Sequence, residues 1–396
     1  MVDRGRGGAA QWIGSLPKQC RRAAGEGAKM NNNQGNALAY VPVLKWKRGE
    51  QTAVETLTSV QKDAVMPIAE LQERPYDWDK EKYTKSWDQH IEAIAVATAK
   101  YWGTTHEIAF DQGITESDKL SVGAETVWEH LFHVLWSKGV RAVPVVSSLA
   151  QPMEITAMKK AVSKGQKTRW TLRYVRQEAV TPAVVASWFQ TTLGMLGATA
   201  ANVDAVLDLE YVADWEVPKR AAEIAACLAA IASAASWRSL VLSSGAFPAN
   251  LAGIMPGAHQ IQRTDWALFK AVRLQPGAPA GVIYSDYGVS HILAFDSDPR
   301  MMKMSANLRY THDDRWFVFK ARSVKDFGFE QYRDLCKVLV ALKPPYMGAA
   351  FSKGDTNYDK VASSGVGPGN ATHWRRDATN HHIHFALWQI ASLPAP

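Results

Sequence analysis

Eight short apolar runs, separated by stretches with helical periodicity, constrain this chain more than any other feature. They cover residues 40–46, 65–71, 107–110, 142–146, 169–175, 205–209, 239–242 and 281–284. Runs of this length, several rich in Val and Ile, have the pattern of strands buried on both faces. Between them the apolar residues recur at three and four. In residues 87–102, Trp87, Ile91, Ile94, Ala95 and Trp102 form one stripe; in 124–137, Val127, Leu131, Val134 and Leu135 form another. Further helices are expected over 50–59, 152–164, 181–192 and 218–235. Pro182 and Pro218 suit a first helical turn, and Gly103 and Gly139 suit the position just after a helix.

Eight strands alternating with helices predict an α/β fold, a (β/α)8 TIM-type barrel over residues 37–300. A doubly wound open sheet would place a Gly-rich phosphate turn after an early strand, and none is present. Residues 246–274 are the weakest unit, part loop and part helix. From residue 301 the pattern changes. Residues 308–311 and 316–320 flank a turn and predict a β-hairpin. Residues 328–342 predict a helix, 348–352 and 381–387 short strands, and 363–369 a Gly-rich mobile loop. The segment 301–396 is expected to pack over the barrel mouth as an α+β extension.

Charge and cysteine content narrow the function classes. The net charge is +7, but residues 1–36 hold six basic side chains against Asp3 and Glu26, a net +4, which leaves +3 for the rest. That first segment, Gly- and Arg-rich without apolar periodicity, is expected to be a disordered basic tail, and Met30 offers an alternative start. The remainder is near neutral, which argues against an extended duplex nucleic acid as partner. Three scattered cysteines, Cys20, Cys227 and Cys336, form neither a disulfide framework nor a zinc pattern and fit a reducing cytoplasm. No apolar run is long enough for a membrane span, and the N-terminus lacks the apolar core of a secretory signal.

In barrels of this kind the chemistry sits where strands end. Those positions hold Lys45, Lys47, Glu70, Asp111, Gln112, Ser147, Arg173, Arg176, Asp208, Glu210, Ser243, Asp286 and Tyr287. One reading makes this a ligand site. Lys47, Glu70, Asp111, Asp208 and Asp286 are then candidate catalytic groups, and the carboxylates could hold a divalent cation or act as a base. Lys45, Arg173 and Tyr287 would hold a phosphate-bearing ligand, joined by Arg309, Arg375, Asn380 and His381 of the extension. The other reading makes the same charges a buried ion-pair network without chemistry. Strand alternation would turn Lys45 and Lys47 inward together, and Asp208 with Glu210. His382 and His384 would share one face of a strand, as two metal ligands do. Asp355 is placed to orient a member of the His cluster, and Arg263 with Asp265 to fix a loop.

The opening Tyr40-Val41-Pro42-Val43-Leu44-Lys45-Trp46-Lys47-Arg48-Gly49-Glu50 resembles the start of the phage-type beta protein family. So do Phe110-Asp111-Gln112, Asp286-Tyr287-Gly288, Leu308-Arg309-Tyr310-Thr311, Trp374-Arg375 and Asn380-His381-His382-Ile383. The resemblance spans roughly residues 38–390. It implies no particular reaction; what it implies is an association with phage–host conflict. Two expectations follow from the whole. One is an enzyme or binder acting on a phosphate-bearing small molecule or nucleotide at the C-terminal face of the barrel. The other is a non-catalytic recognition or scaffold component in a conflict system, to which 15 Trp would lend stacking surface.

Overall fold

A computed structural model describes residues 38–112, 125–164, 169–176, 180–293 and 304–394. The basic tail expected over 1–36, the start of the helix expected at Ala124 and the junction at residue 301 lie outside the described residues.

In chain order the strands are β1 (Val43–Leu44), β2 (Ile68–Glu70), β3 (Tyr76–Asp77), β4 (Lys82–Tyr83), β5 (Glu107–Asp111), β6 (Arg141–Ser147) and β7 (Trp170–Val175). They continue as β8 (Val203–Tyr211), β9 (Ser239–Gly245), β10 (Gly257–Gln262), β11 (Ile283–Asp286), β12 (Ser305–His312) and β13 (Arg315–Ser323). Each of the eight apolar runs contributes one strand to a single sheet of order β1-β2-β5-β6-β7-β8-β9-β11. All its pairings are parallel. Tyr40 bridges both Val65 and Tyr284, and the Val41 N–H donates to the Tyr284 carbonyl at 3.0 Å, so the first and last strands meet. The result is an eight-stranded, nearly closed, barrel-like parallel sheet with helices around it.

The two-residue period of the strands sorts their side chains. Val43, Ile68, Ala109, Val143, Val145, Val206 and Val241 pack together inside the sheet. Leu44, Ala69, Phe110, Val146, Leu172, Leu207 and Leu242 belong to the outer layer against the helices, where Cys227 is also buried. The helices start where their caps allow. Ser86 and Thr126 close capping boxes with Gln89 and Glu129, and Thr181 caps a helix whose first residue is Pro182.

Several expected elements differ. The single helix over 50–59 is two short ones, Arg48–Ala53 and Ser59–Asp63. Residues 246–274 contain β10 and the helix Thr264–Arg273. β10 pairs with β13, so the expected hairpin of β12 and β13 gains a third strand from the sequence between β9 and β11. Residues 348–352 form a turn rather than a strand. The strand expected over 381–387 is instead the second half of a long helix, Ala371–Ala391, capped by Asn370. That helix is buried on most of its circumference, so its sequence carries no apolar stripe to mark it.

The long helix is clamped by close backbone approach. Gly354, in the helix Lys353–Ala362, lies so near it that a Cβ there would stand 2.3 Å from the Asp377 carbonyl oxygen. Gly354→Ala is therefore expected to cost about 1–3 kcal/mol, read as a lower denaturant midpoint. Gly253→Ala, with no described heavy atom within 4 Å of its Cβ, should leave the midpoint unchanged. Equal midpoints for the two variants would show that the helices can move apart freely.

Candidate functional site

The inward side of the sheet carries its charges in one layer at the C-terminal strand ends. Lys45, Glu70, Asp111, Arg173 and Asp208 are all buried there. Arg173 is the hub. Its Nη1 donates to Asp111 Oδ2 at 2.6 Å and Glu70 Oε1 at 3.0 Å, and its Nε to Asp208 Oδ2 at 2.9 Å. Its Nη2 donates to the Tyr287 hydroxyl at 2.5 Å, which in turn donates to Asp208 Oδ2 at 2.7 Å. Lys45 Nζ closes the ring on Glu70 Oε2 and the Ile292 carbonyl. Burial works against the Arg173 charge, but Tyr287 and the three carboxylates outweigh it and hold the guanidinium more firmly protonated than usual. Burial pushes the Tyr287 hydroxyl well above its ordinary pKa, so it serves as a neutral donor. Three carboxylates thus surround a guanidinium where a cation site was expected.

Asp286 and Tyr287 are adjacent and therefore point to opposite sides of the sheet. Asp286 faces outward, into a second network. Its Oδ1 accepts from the Tyr40 hydroxyl at 2.5 Å and from the Gly288 N–H at 2.9 Å. Its Oδ2 lies 2.7 Å from the Tyr284 hydroxyl, 2.9 Å from His382 Nε2 and 3.8 Å from Arg263 Nη2. His382 Nδ1 meets Thr311 Oγ1 at 2.8 Å, so this ring ties the end of β11 to β12. Burial alone would raise Asp286, but His382 and then Arg263 draw it below the usual carboxylate range. Arg263 does more than fix a loop: it is fully buried and also donates to Gln389 Oε1 at 2.6 Å and the Asp313 carbonyl at 3.0 Å.

The residues expected to gather from both chain ends are brought together in part: His382 meets Asp286, and Arg375 shares a cleft with Lys45 and Lys47, while His381 and Asn380 lie elsewhere. His381 lies inside the extension, with Nδ1 2.8 Å from Asp355 Oδ2, Nε2 2.7 Å from the Thr311 carbonyl and its ring stacked on Tyr310. Asp355 does orient it. Asn380 clamps the long helix, donating to the Ala53 carbonyl at 2.8 Å and accepting from the Gly354 N–H at 3.0 Å. His382 and His384 do not share a face, because on a helix two residues apart means nearly opposite sides. His384 Nδ1 instead sits 2.9 Å from the Asn380 carbonyl. Among the described residues no three His, Cys, Asp or Glu side chains gather as metal ligands do.

Strand alternation fails at two strand ends. β1 stops at Leu44, and Trp46 adopts φ 45°, so Lys47 becomes the N-cap residue of the helix Arg48–Ala53 while Lys45 stays inside. Glu210 has φ 55° at a register shift between Asp208 and Tyr211. Bulky residues with positive φ are strained, and such strain collects where a fold serves a ligand.

A cleft of about 870 Å³ opens at the C-terminal ends of the strands, with Lys45 of the first network on its wall. Its walls are the loops after β1, β9 and β11, the strands β12 and β13, and the long helix. Lys45, Lys47, Arg48, Arg309, Lys320 and Arg375 line it, and Glu50 is the carboxylate among its described lining residues. Arg309 Nη1 donates to the Val289 carbonyl at 2.6 Å, and Arg375 Nη1 reaches the same oxygen at 3.2 Å. Arg375 also donates to Ser290 Oγ at 2.6 Å, with Glu50 Oε1 3.9 Å from its Nε. Burial, and after it the neighbouring Arg375 charge, lowers the Arg309 pKa well below its ordinary value. Lys320 is spent on the Leu251 and Ile254 carbonyls, both at 2.6 Å. Arg48 and Lys320 were not singled out from the sequence; the Lys47-Arg48 pair at the end of an apolar run was the available signal.

The model of the Beta protein family matches residues 40–387. The chain belongs to the Beta protein family. A comparison with curated proteins finds none that matches it. The segments that resembled the family all fall within the matched span, and Lys47, Arg309 and Arg375 of the cleft are among them.

Two outcomes follow. Arg173→Met should lose about 3–5 kcal/mol, because three buried carboxylates lose their shared donor; adding Asp111→Asn and Asp208→Asn should recover part of it in denaturant titration. Unchanged stability would mean the network is not a structural one. The second concerns Asp265, whose carboxyl is pushed up to about 7, first by burial and then by Asp286, with Arg263 opposing. Tyr284 lies 3.0 Å from Asp265 Oδ2 and has one proton, so a protonated Asp265 can donate to it while it donates to Asp286. The folded-state pKa exceeds the unfolded value, so this contribution is full below pH ~4 and is lost as pH rises to ~7. Asp265→Asn should remove that part of the pH dependence; a curve parallel to wild type would contradict it.

Proposed function

We propose that this Beta protein family member binds a phosphate-bearing small molecule in the basic cleft, on a (β/α)8 TIM-type barrel formed by residues 37–300 with 301–396 packed at its mouth. One observation carries the reading: Arg309 and Arg375, like-charged and partly buried, converge on a single carbonyl in a cleft lined by six cations and one described carboxylate. Bringing two guanidiniums together costs energy that an anion repays, and a phosphate accepts their forked donors bidentately. The cleft's size suits a small ligand, and its place at the C-terminal strand ends is the usual one for such barrels.

Binding is better supported than hydrolysis. Glu70, Asp111 and Asp208 are committed to Arg173, and Asp286 to Tyr40, Tyr284 and His382, so none is poised as a base toward the cleft. Lys47 lines the cleft as a binding group rather than a catalytic one. The ligand would be small; the near-neutral charge balance outside residues 1–36 argues against an extended duplex. No helix among the described residues is long and apolar enough to cross a membrane, and a cytoplasmic setting is part of the proposal. A role in phage–host conflict would then be ligand-gated recognition rather than catalysis.

Isothermal titration with inorganic pyrophosphate tests this. Wild type should bind, and Arg309→Gln and Arg375→Gln should each weaken binding at least ~10-fold. Arg309→Gln should not lower the unliganded melting temperature, since it also relieves a like-charge contact. No binding by wild type, or lost stability without lost affinity, would overturn the reading.

A further inference from the structure

A second cleft of about 740 Å³ adjoins the first, with Lys47 and Arg48 lining both. Its character is different. The β3–β4 hairpin, which follows β2, supplies Tyr76, Trp78 and Tyr83. The Tyr76 ring centroid lies 4.9 Å from that of Trp78 and 5.2 Å from that of Tyr83. Arg74 lays its guanidinium 3.9 Å from the Tyr83 ring and 4.9 Å from the Trp87 ring. Tyr76 and Tyr83 keep more than a third of their surface exposed beside this cleft.

Gln72 is the second, independent observation. It lines this cleft and is only 7% exposed. Its Nε2 donates to the Glu70 carbonyl at 3.1 Å, which fixes the orientation of the amide. Its Oε1 accepts no hydrogen bond among the described residues. A buried acceptor left without a donor is costly, and a ligand N–H would satisfy it.

The occupant must have a flat face for the tyrosine, tryptophan and guanidinium surfaces and an N–H for Gln72. A cationic ligand is disfavoured, because Lys47, Arg48, Arg74 and Lys85 line the cleft against Glu73. We propose, resting on the phosphate reading above, that this cleft takes the base of a nucleotide whose phosphate lies in the neighbouring basic cleft, with Lys47 and Arg48 between them. Stacking on aromatic rings with one amide contact accepts a base of either size, so the class is a nucleotide rather than a sugar phosphate.

Titration calorimetry separates the two levels. The probes are inorganic pyrophosphate, ribose 5-phosphate, and the 5′-monophosphates of adenosine, guanosine, cytidine and uridine with their nucleosides. At least one nucleotide should bind about tenfold or more tighter than ribose 5-phosphate. Tyr76→Ala and Tyr83→Ala, checked for unchanged melting temperature, should each erode that advantage and leave ribose 5-phosphate affinity as it was. Arg375→Gln should weaken both. If ribose 5-phosphate binds and no nucleotide binds tighter, the base site is wrong while the phosphate reading survives. If nucleosides bind as well as nucleotides and pyrophosphate does not bind, the phosphate reading fails and the aromatic site stands. If nothing binds, both fail.

Discussion

One guanidinium organises the interior of this fold. Arg173 reaches across the sheet to carboxylates on β2, β5 and β8 and to Tyr287 just past β11, so four strand ends are pinned by a single planar group. Desolvating one cation and three carboxylates is expensive, and the arrangement is tolerable only because nearly every donor and acceptor in it is used. The consequence for function is direct. With its carboxylates committed to Arg173, the inward layer is a structural network, and the proposed binding falls to the residues around it.

What surrounds it is asymmetric. On the side of β1 and β11 the chain returns as the sheet β10-β13-β12 and the helix Ala371–Ala391, joined to the barrel through His382 and Asp286. That contact holds the extension against the strand ends, where Arg309 and Arg375 line the cleft together with Lys47 and Arg48. The interior is rich in carboxylates and the rim in cations, and on the proposed reading an anion sits at the rim rather than inside.

Much of the barrel-like sheet was legible in the sequence because its strands are buried on both faces and announce themselves as short, largely apolar runs. The small sheet was harder: β10 is half-buried and polar, His259-Gln260-Ile261-Gln262, and depends on β13 for its existence. The closing helix was misread because burial on nearly all sides erases periodicity, and the run Asn380-His381-His382-Ile383-His384 then looks like an alternating strand. Which strand-end residues face one another was not legible. Neighbours such as Asp286 and Tyr287 take opposite sides of a strand, and the left-handed backbone at Trp46 sends Lys45 and Lys47 to different places. Arg74, Gln72 and the hairpin aromatics were passed over because no periodic element contains them, although Arg74-Pro75-Tyr76-Asp77-Trp78 is a dense run of cation and rings.

Heavy-anion crystallography tests directly the proposed division between a structural interior and an anion-binding rim. Crystals soaked in tungstate should show an anomalous peak within hydrogen-bonding reach of Arg309 and Arg375, with the Arg173 cluster undisturbed. A peak at Arg173 with its carboxylates displaced, or none at the rim under conditions that label other basic sites, would contradict it.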